Sequence, residues 1–304
     1  MQTTVRDTIR LRGTGLHTGA PARLAIQPAA AYHGIWFRRT DIDGNAMIPA
    51  RHDAVERSPL CTLLVNEAGV SVSTVEHVMA ALAGCGVLNA IVEVDGPEVP
   101  ILDGSAVGFV RAIRAAGVQR LDAPVHVIEV LRRVAVQDGD AHAALSPAPE
   151  LEIDFSIDFA DRAIGQQRKV LRLSNGTFVR ELCDSRTFCR QADVDAMRAN
   201  GKALGGTLDN AVVVDGDRVL NPEGFRHADE AVRHKMLDAL GDLALAGAPI
   251  LGRYEGVRAG HAMTNKLLHA LFADPLAYRI RTLTGDECRV LPGAGLERDR
   301  FAHV

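Results

Sequence analysis

Cysteine is scarce and unpaired in this chain: five among 304 residues (Cys61, Cys85, Cys183, Cys189 and Cys288), with no CxxC spacing. An odd, scattered set fits a reducing compartment better than a disulfide framework. Aromatic residues make up only 4% and no basic run interrupts a net charge of −4, which argues against nucleic acid as a partner. No apolar stretch approaches the ~20 residues of a membrane span. The opening "MQTTVRDTIRLRGTG" lacks the apolar segment of a secretion signal. A cytoplasmic protein with no transmembrane segment is therefore expected. HExxH is absent as well, so a zincin-type peptidase is excluded.

What is present is an ordinary globular composition, long enough for two domains that each bury a core. Residues 1–70 read as short strands and turns, with "GTGLHTG" placing His17 in a glycine-punctuated loop or strand end. Ser73 and Glu76 form a capping-box pattern that predicts a helix running to Gly84 or Gly86. A strand over 89–94 follows, then "DGS" opening a short helix near 106–116. Around 121–124 the pattern starts again. Successive strands include "LEIDFSIDF", with Leu151, Ile153, Phe155, Ile157 and Phe159 in strict alternation. A short helix, a segment over 191–215, a long helix, a strand ending at His261 and a final helix complete it. Strands followed by helices, twice over, predict an α+β fold. Residues 273–304 are a tail without an assignable role.

The long helix, residues 229–247, carries the strongest signal. Met236, Leu237, Leu240, Leu243 and Ala244 recur at helical spacing on one side. His234, Asp238 and Asp242 stand four apart on the other, where an imidazole and a carboxylate one turn apart can close on a single cation. The competing reading is a solvated polar face. An internal echo supports the first: residues 75–84, "VEHVMAALAG", align without gaps on residues 232–241, "VRHKMLDALG". Equivalent helices paired about a pseudo-twofold would bring His77 to His234, and His77, His234 and Asp238 would then offer the open ligand set of a catalytic zinc. Beside such a site Glu76 can be a general base, though a capping role alone would also explain it. Asp242 can hold the His261 ring and favour its imidazolium. Lys235 can meet a phosphate or be plain surface charge, Thr187 can donate to an oxyanion, and Cys61 reads as a buried thiol.

Taken together, "GTGLHTG", "RRTD", "CTLLVNE", "STVEHVMAALAG", "DGPEVPILDGS", "SIDF", "SRTF", "LGGTLDNAVVVD", "EAVRHKMLDALGDL" and "GHAMTNKLL" closely resemble the bacterial UDP-3-O-acyl-N-acetylglucosamine deacetylases over roughly residues 3–272. These are zinc amidases at the committed step of lipid A synthesis. The resemblance implies zinc ligands at His77, His234 and Asp238, a general base at Glu76, a general acid at His261 oriented by Asp242, and oxyanion stabilisation by Thr187. It implies sugar-nucleotide contacts from Phe188, Lys235, Gly205 and Gly206, with Asp158 and Phe159 near the uridine. An acyl-chain tunnel formed by a βαβ insert at about 191–215 would take Val194, Ala203, Ala211 and Val213. The implied fold is two related α+β halves, 1–122 and 123–272, with helices sandwiched between two sheets. The partner is the acylated UDP-glucosamine substrate, of a monomer with transient membrane proximity. Two positions depart from the family pattern: Ala141 replaces a lysine thought to approach the nucleotide, and Arg190 replaces an aromatic beside the tunnel.

The implied reaction is amide hydrolysis, with acid and base expected on opposite sides of the metal. Two alternatives stay open at this stage: a zinc amidohydrolase with a different substrate, and a zinc that only clamps the halves together.

Overall fold

The computed structural model describes residues 1–296. Among them are six α-helices: α1 (Glu76–Gly84), α2 (Val107–Ala116), α3 (Thr177–Glu181), α4 (Gln191–Ala199), α5 (Glu230–Ala244) and α6 (His261–Phe272). No helix is long and apolar enough to cross a membrane.

Two five-stranded sheets frame the helices, and they share one topology. The first runs Ile9–Thr14, Pro21–Pro28, Ala90–Val94, Ile35–Arg39, Met47–Pro49; the second runs Val134–Asp138, Ala141–Ser146, Arg253–Val257, Glu152–Asp158, Gln166–Arg172. In each, neighbours are antiparallel except one pair: Ile35–Arg39 lies parallel to Ala90–Val94, and Glu152–Asp158 lies parallel to Arg253–Val257. The strand that closes each parallel pair arrives after a helix, α1 in the first and α5 in the second, because parallel strands need a crossover. The duplicated helix pattern thus marks equivalent positions in a duplicated topology, and the α+β expectation with helices between two sheets is met.

α1 and α5 make the most extensive contact between helices among the described residues, while α5 also packs on the second sheet. Both are buried nearly all round, so the polar side of α5 is interior and not a solvated face. Gly241 permits their close approach: a Cβ there would stand 2.1 Å from the Glu76 carbonyl oxygen. The predicted βαβ insert is present as Phe188–Arg190, α4 and Val212–Asp215, its two strands paired in parallel.

Two local expectations are corrected. Ser73 does not cap α1; it ends the strand Ser71–Ser73 and its hydroxyl donates to the Pro97 carbonyl. Thr74 then turns the chain at φ 59°, and α1 begins at Glu76 with no side-chain cap. His261 does not close a strand, since the preceding strand ends at Val257 and His261 is the first residue of α6, after an extended Gly260. The tail left unassigned by the sequence carries two elements. Tyr278–Leu283 pairs antiparallel with Val125–Val130 through six registered residues, and a 3-10 helix follows at Gly285–Val290. The tail beyond 296 lies outside the described residues.

Candidate active site

The α1 and α5 interface brings three donors together. One ligand atom each from His77, His234 and Asp238 lies within 4.8 Å of the others, with all three residues buried. Both imidazole Nε2 atoms face Asp238 Oδ1, His234 at 3.2 Å and His77 at 3.7 Å. The i,i+4 spacing on α5 accounts for the first contact, the pseudo-twofold packing for the second.

Their protonation states suit a cation. Burial, reinforced by the neighbouring His234, pushes His77 down to about 3, and burial likewise lowers His234. Both rings are therefore neutral and carry lone pairs. His234 Nδ1 donates to the Ser185 carbonyl at 2.9 Å, which leaves Nε2 as the free donor atom. Burial opposes the Asp238 charge, yet the Lys235 ammonium beside it holds its carboxyl well below the usual range. Lys235 Nζ donates to Asp238 Oδ2 at 2.9 Å, whereas Asp238 Oδ1 is buried with no hydrogen-bond partner. Orphaned buried carboxylate oxygens are rare and call for a partner. Two neutral imidazoles aimed at one is a donor set that fits a zinc-like ion. Lys235 is thus engaged with the carboxylate and is not a free surface charge.

Beside this cluster sits a second one. His261 Nδ1 donates to Asp242 Oδ2 at 2.8 Å, and His261 Nε2 lies 3.8 Å from Glu76 Oε1. Acid and base candidates are therefore adjacent; His261 opens α6 and Glu76 opens α1, so the two helix starts meet there. Burial pushes Glu76 up to about 7. Burial would lower His261, but Asp242 and Glu76 together push it up to about 9. A basic carboxylate and a stabilised imidazolium side by side is an arrangement suited to moving protons in both directions.

Thr187 follows Ser185 by two residues. Its amide donates to the Gly104 carbonyl, and its carbonyl accepts from Val212, which anchors it beside the insert. Phe188 stacks edge-on to His234 with ring centroids 6.2 Å apart, and Phe159 meets Phe188 at 5.3 Å. Gly205 donates to the Leu16 carbonyl, tying the insert to the "GTGLHTG" loop, and a Cβ at Gly205 would stand 2.2 Å from the Gly15 carbonyl oxygen. Gly206 follows it in the same turn. Asp158 pairs with Arg258, and both line a pocket of about 320 Å³. Val194, Ala203, Ala211 and Val213 are all buried in the insert. Arg190 is tied to Asp193 at 2.8 Å and lies 3.8 Å from Asp161, and Ala141 opens a strand paired with Asp138. Cys61 is a buried thiol, its pKa raised by burial to about 11. A cavity of about 1220 Å³ touches Met79, Leu82, Leu240 and Leu243 and is lined by none of the site residues named above.

Several site residues escaped the sequence reading. Thr62 donates its hydroxyl to Asp242 Oδ1 at 2.7 Å and its amide to Glu76 Oε2 at 3.1 Å, so it braces both carboxylates. Ser185 supplies the carbonyl on His234. Glu98 is buried and accepts from the His17 and Thr18 amides and from the hydroxyls of Thr18 and Thr74, which ties the "GTGLHTG" loop to the turn before α1. The stretches "CTLLVNE", "SRTF" and "DGPEVPILDGS" contain them; no spacing singles them out.

Residues 2–273 match the family model described as UDP-3-O-acyl N-acetylglycosamine deacetylase. A UDP-3-O-acyl-N-acetylglucosamine deacetylase of Phenylobacterium zucineum is 52% identical over 286 residues, covering 94% of this chain and 98% of its own. Its namesake in Shewanella frigidimarina is 44% identical over 305 residues, covering 100% and 99%. That of Shewanella oneidensis is 44% identical over 281 residues, covering 92% of each.

Proposed function

This chain belongs to the UDP-3-O-acyl N-acetylglycosamine deacetylase family, and we propose that it hydrolyses the 2-acetamido group of a UDP-3-O-acyl-N-acetylglucosamine to acetate and the free amine, at a zinc held by His77, His234 and Asp238. The observation that carries the metal assignment is Asp238 Oδ1, buried, unpartnered and faced by two neutral imidazoles. When bound, zinc supplies Lewis-acid polarisation of the acetyl carbonyl and makes water acidic enough to yield hydroxide near neutral pH.

The chain's own groups carry the protons. As water attacks the acetyl carbon, Glu76 takes its proton; the Glu76 carboxylate is held in place by the Thr62 amide. The Thr187 hydroxyl donates to the oxyanion that develops, an interaction of a kind worth about 3 kcal/mol. When the C–N bond breaks, the nitrogen takes a proton from His261 Nε2, because an amine anion is a poor leaving group. Asp242 keeps the other ring nitrogen protonated and the ring oriented. Phe159, Phe188, Gly205, Gly206 and Asp158 line the sugar-nucleotide side, with Lys235 at the seam between metal and sugar. Val194, Ala203, Ala211 and Val213 take the acyl chain. In this reading the halves divide at 122/123, and the shared cleft works in the cytoplasm on a soluble nucleotide that carries a lipid tail.

The test is metal content and acetate release from wild type and His77→Ala in parallel, with a UDP-3-O-acyl-GlcNAc substrate. About one zinc per wild-type chain, with both metal and activity lost from a folded mutant, supports the assignment. A mutant that keeps metal and activity removes His77 from the site.

A further inference from the structure

Arg186 and Glu230 form an ion pair in which both side chains are only 1% exposed. Arg186 Nε donates to Glu230 Oε1 at 2.9 Å and Nη2 to Oε2 at 3.2 Å, while the Arg186 backbone amide donates to Oε1 as well, at 2.9 Å. The Arg226 amide adds a further bond to Oε2 at 2.6 Å, and Arg186 Nη2 reaches the Gly224 carbonyl at 2.7 Å. Glu230 thus joins three segments: the strand-leading loop before Phe188, the loop before α5, and the first turn of α5 itself.

Stability alone is a weak reason for such a pair. Two charges removed from water gain little over well-packed apolar side chains of the same volume, so a buried ion pair calls for a consequence of its own. Here the consequence is geometric. Ser185, Arg186 and Thr187 are consecutive. Ser185 presents its carbonyl to His234 Nδ1, and Thr187 is the oxyanion donor of the reaction above. Glu230 lies one helical turn before His234 on α5, so the pair locks the residue between these two groups to the helix that carries the metal histidine.

We propose that Arg186 and Glu230 are positioning residues for the metal centre: their buried pair fixes the Ser185 carbonyl that sets the His234 tautomer, and holds Thr187 against the cleft. The proposal rests on His234 as a ligand and Thr187 as a donor, and its experiment separates the two. Three full-length proteins are compared: wild type, Glu230→Gln, and the double variant Arg186→Met with Glu230→Gln, whose uncharged pair keeps the packing and an acceptor for the backbone amides. Each is measured metal-free by thermal melting and by the ¹⁵N shifts of His234, and then by zinc competition against a chromogenic chelator and by steady-state kinetics.

A positioning role predicts a double variant that melts within a few degrees of wild type, yet binds zinc about 10- to 100-fold more weakly, as loss of a metal ligand's supporting partner does. Its His234 should lose the dominant Nδ1–H tautomer, and kcat should fall with KM little changed. Glu230→Gln should show the same signs if the double variant does not fold. Wild-type zinc affinity, tautomer and kcat in a folded variant overturn the proposal and leave the pair as simple packing. A wild type that binds no zinc instead overturns the metal assignment, and the tautomer readout then decides the positioning role by itself.

Discussion

Glu76 and His261 face each other at 3.8 Å with affinities for protons displaced upward for different reasons. Burial raises the carboxyl to about 7, and the two neighbouring carboxylates, against burial, raise the imidazole to about 9. In the proposed reaction the working form has Glu76 ionised and His261 protonated. Activity should therefore rise as pH passes about 7 and fall as it passes about 9. Glu76→Gln should erase the acid limb, and His261→Gln the basic one; kcat/KM profiles of the three proteins check this, and both limbs surviving in both mutants would sink the assignment. Asp242→Asn removes the carboxylate that most raises His261, so the basic limb should move to lower pH. Its kcat should drop by about 10²- to 10⁴-fold, the usual worth of an oriented acid. An unmoved limb would show that Asp242 does not govern His261. His234, Asp238 and Asp242 were legible because helical spacing alone aligns them. Thr62 was not: it meets Asp242 across 180 residues of sequence, and only the fold brings them together.

At the scale of elements, the candidate metal cluster is a property of how closely α1 and α5 approach. His77 rides on one and His234 with Asp238 on the other, so any spacer between the helices pulls ligands apart. Gly241 is where a spacer would go, facing the Glu76 carbonyl. Gly241→Ala should cost about 1–3 kcal/mol by overpacking, read as a lower Tm. It should also weaken zinc binding, read by chelator competition, although the methyl touches no ligand. Full zinc affinity at a lowered Tm would mean that the helices shift elsewhere and that the ligand geometry does not depend on this contact. Helix existence and the echo between the two helices were readable from apolar period. Helix starts were less so. Ser73 and Glu76 have the spacing of a capping box, but pairing to the segment at Pro97 and Glu98 keeps Ser73 in a strand, and the positive φ at Thr74 moves the start to Glu76. At the other end of the site, Ala259 and His261 continue the alternation of Val257, and it is the fold that ends the strand at Val257 and makes His261 the first residue of α6.

Across the whole molecule, the repeated sheet topology explains why one cleft is built from two halves: each contributes a helix buried between the sheets, and the site lies where those helices meet. The tail enters differently. Tyr278–Leu283 covers the edge of Val125–Val130, and Leu283 and Leu291 join Val125, Val127 and Leu251 in a small apolar cluster of their own. The sequence hid this because the tail's pairing partner lies some 150 residues earlier, as in Arg279 with Glu129. Removing residues 278–304 would strip hydrogen-bond partners from a strand rich in valine and isoleucine and leave it as an open edge, a template for pairing with other chains. The truncated protein should melt at lower temperature and self-associate as concentration rises, followed by light scattering. No described residue from 278 onward appears among the site's contacts, so its monomeric fraction should keep wild-type zinc stoichiometry and kcat. A fall in kcat without loss of monomer would place the tail within the support of the catalytic cleft; intact kcat with rising aggregation confines its work to sealing the sheet.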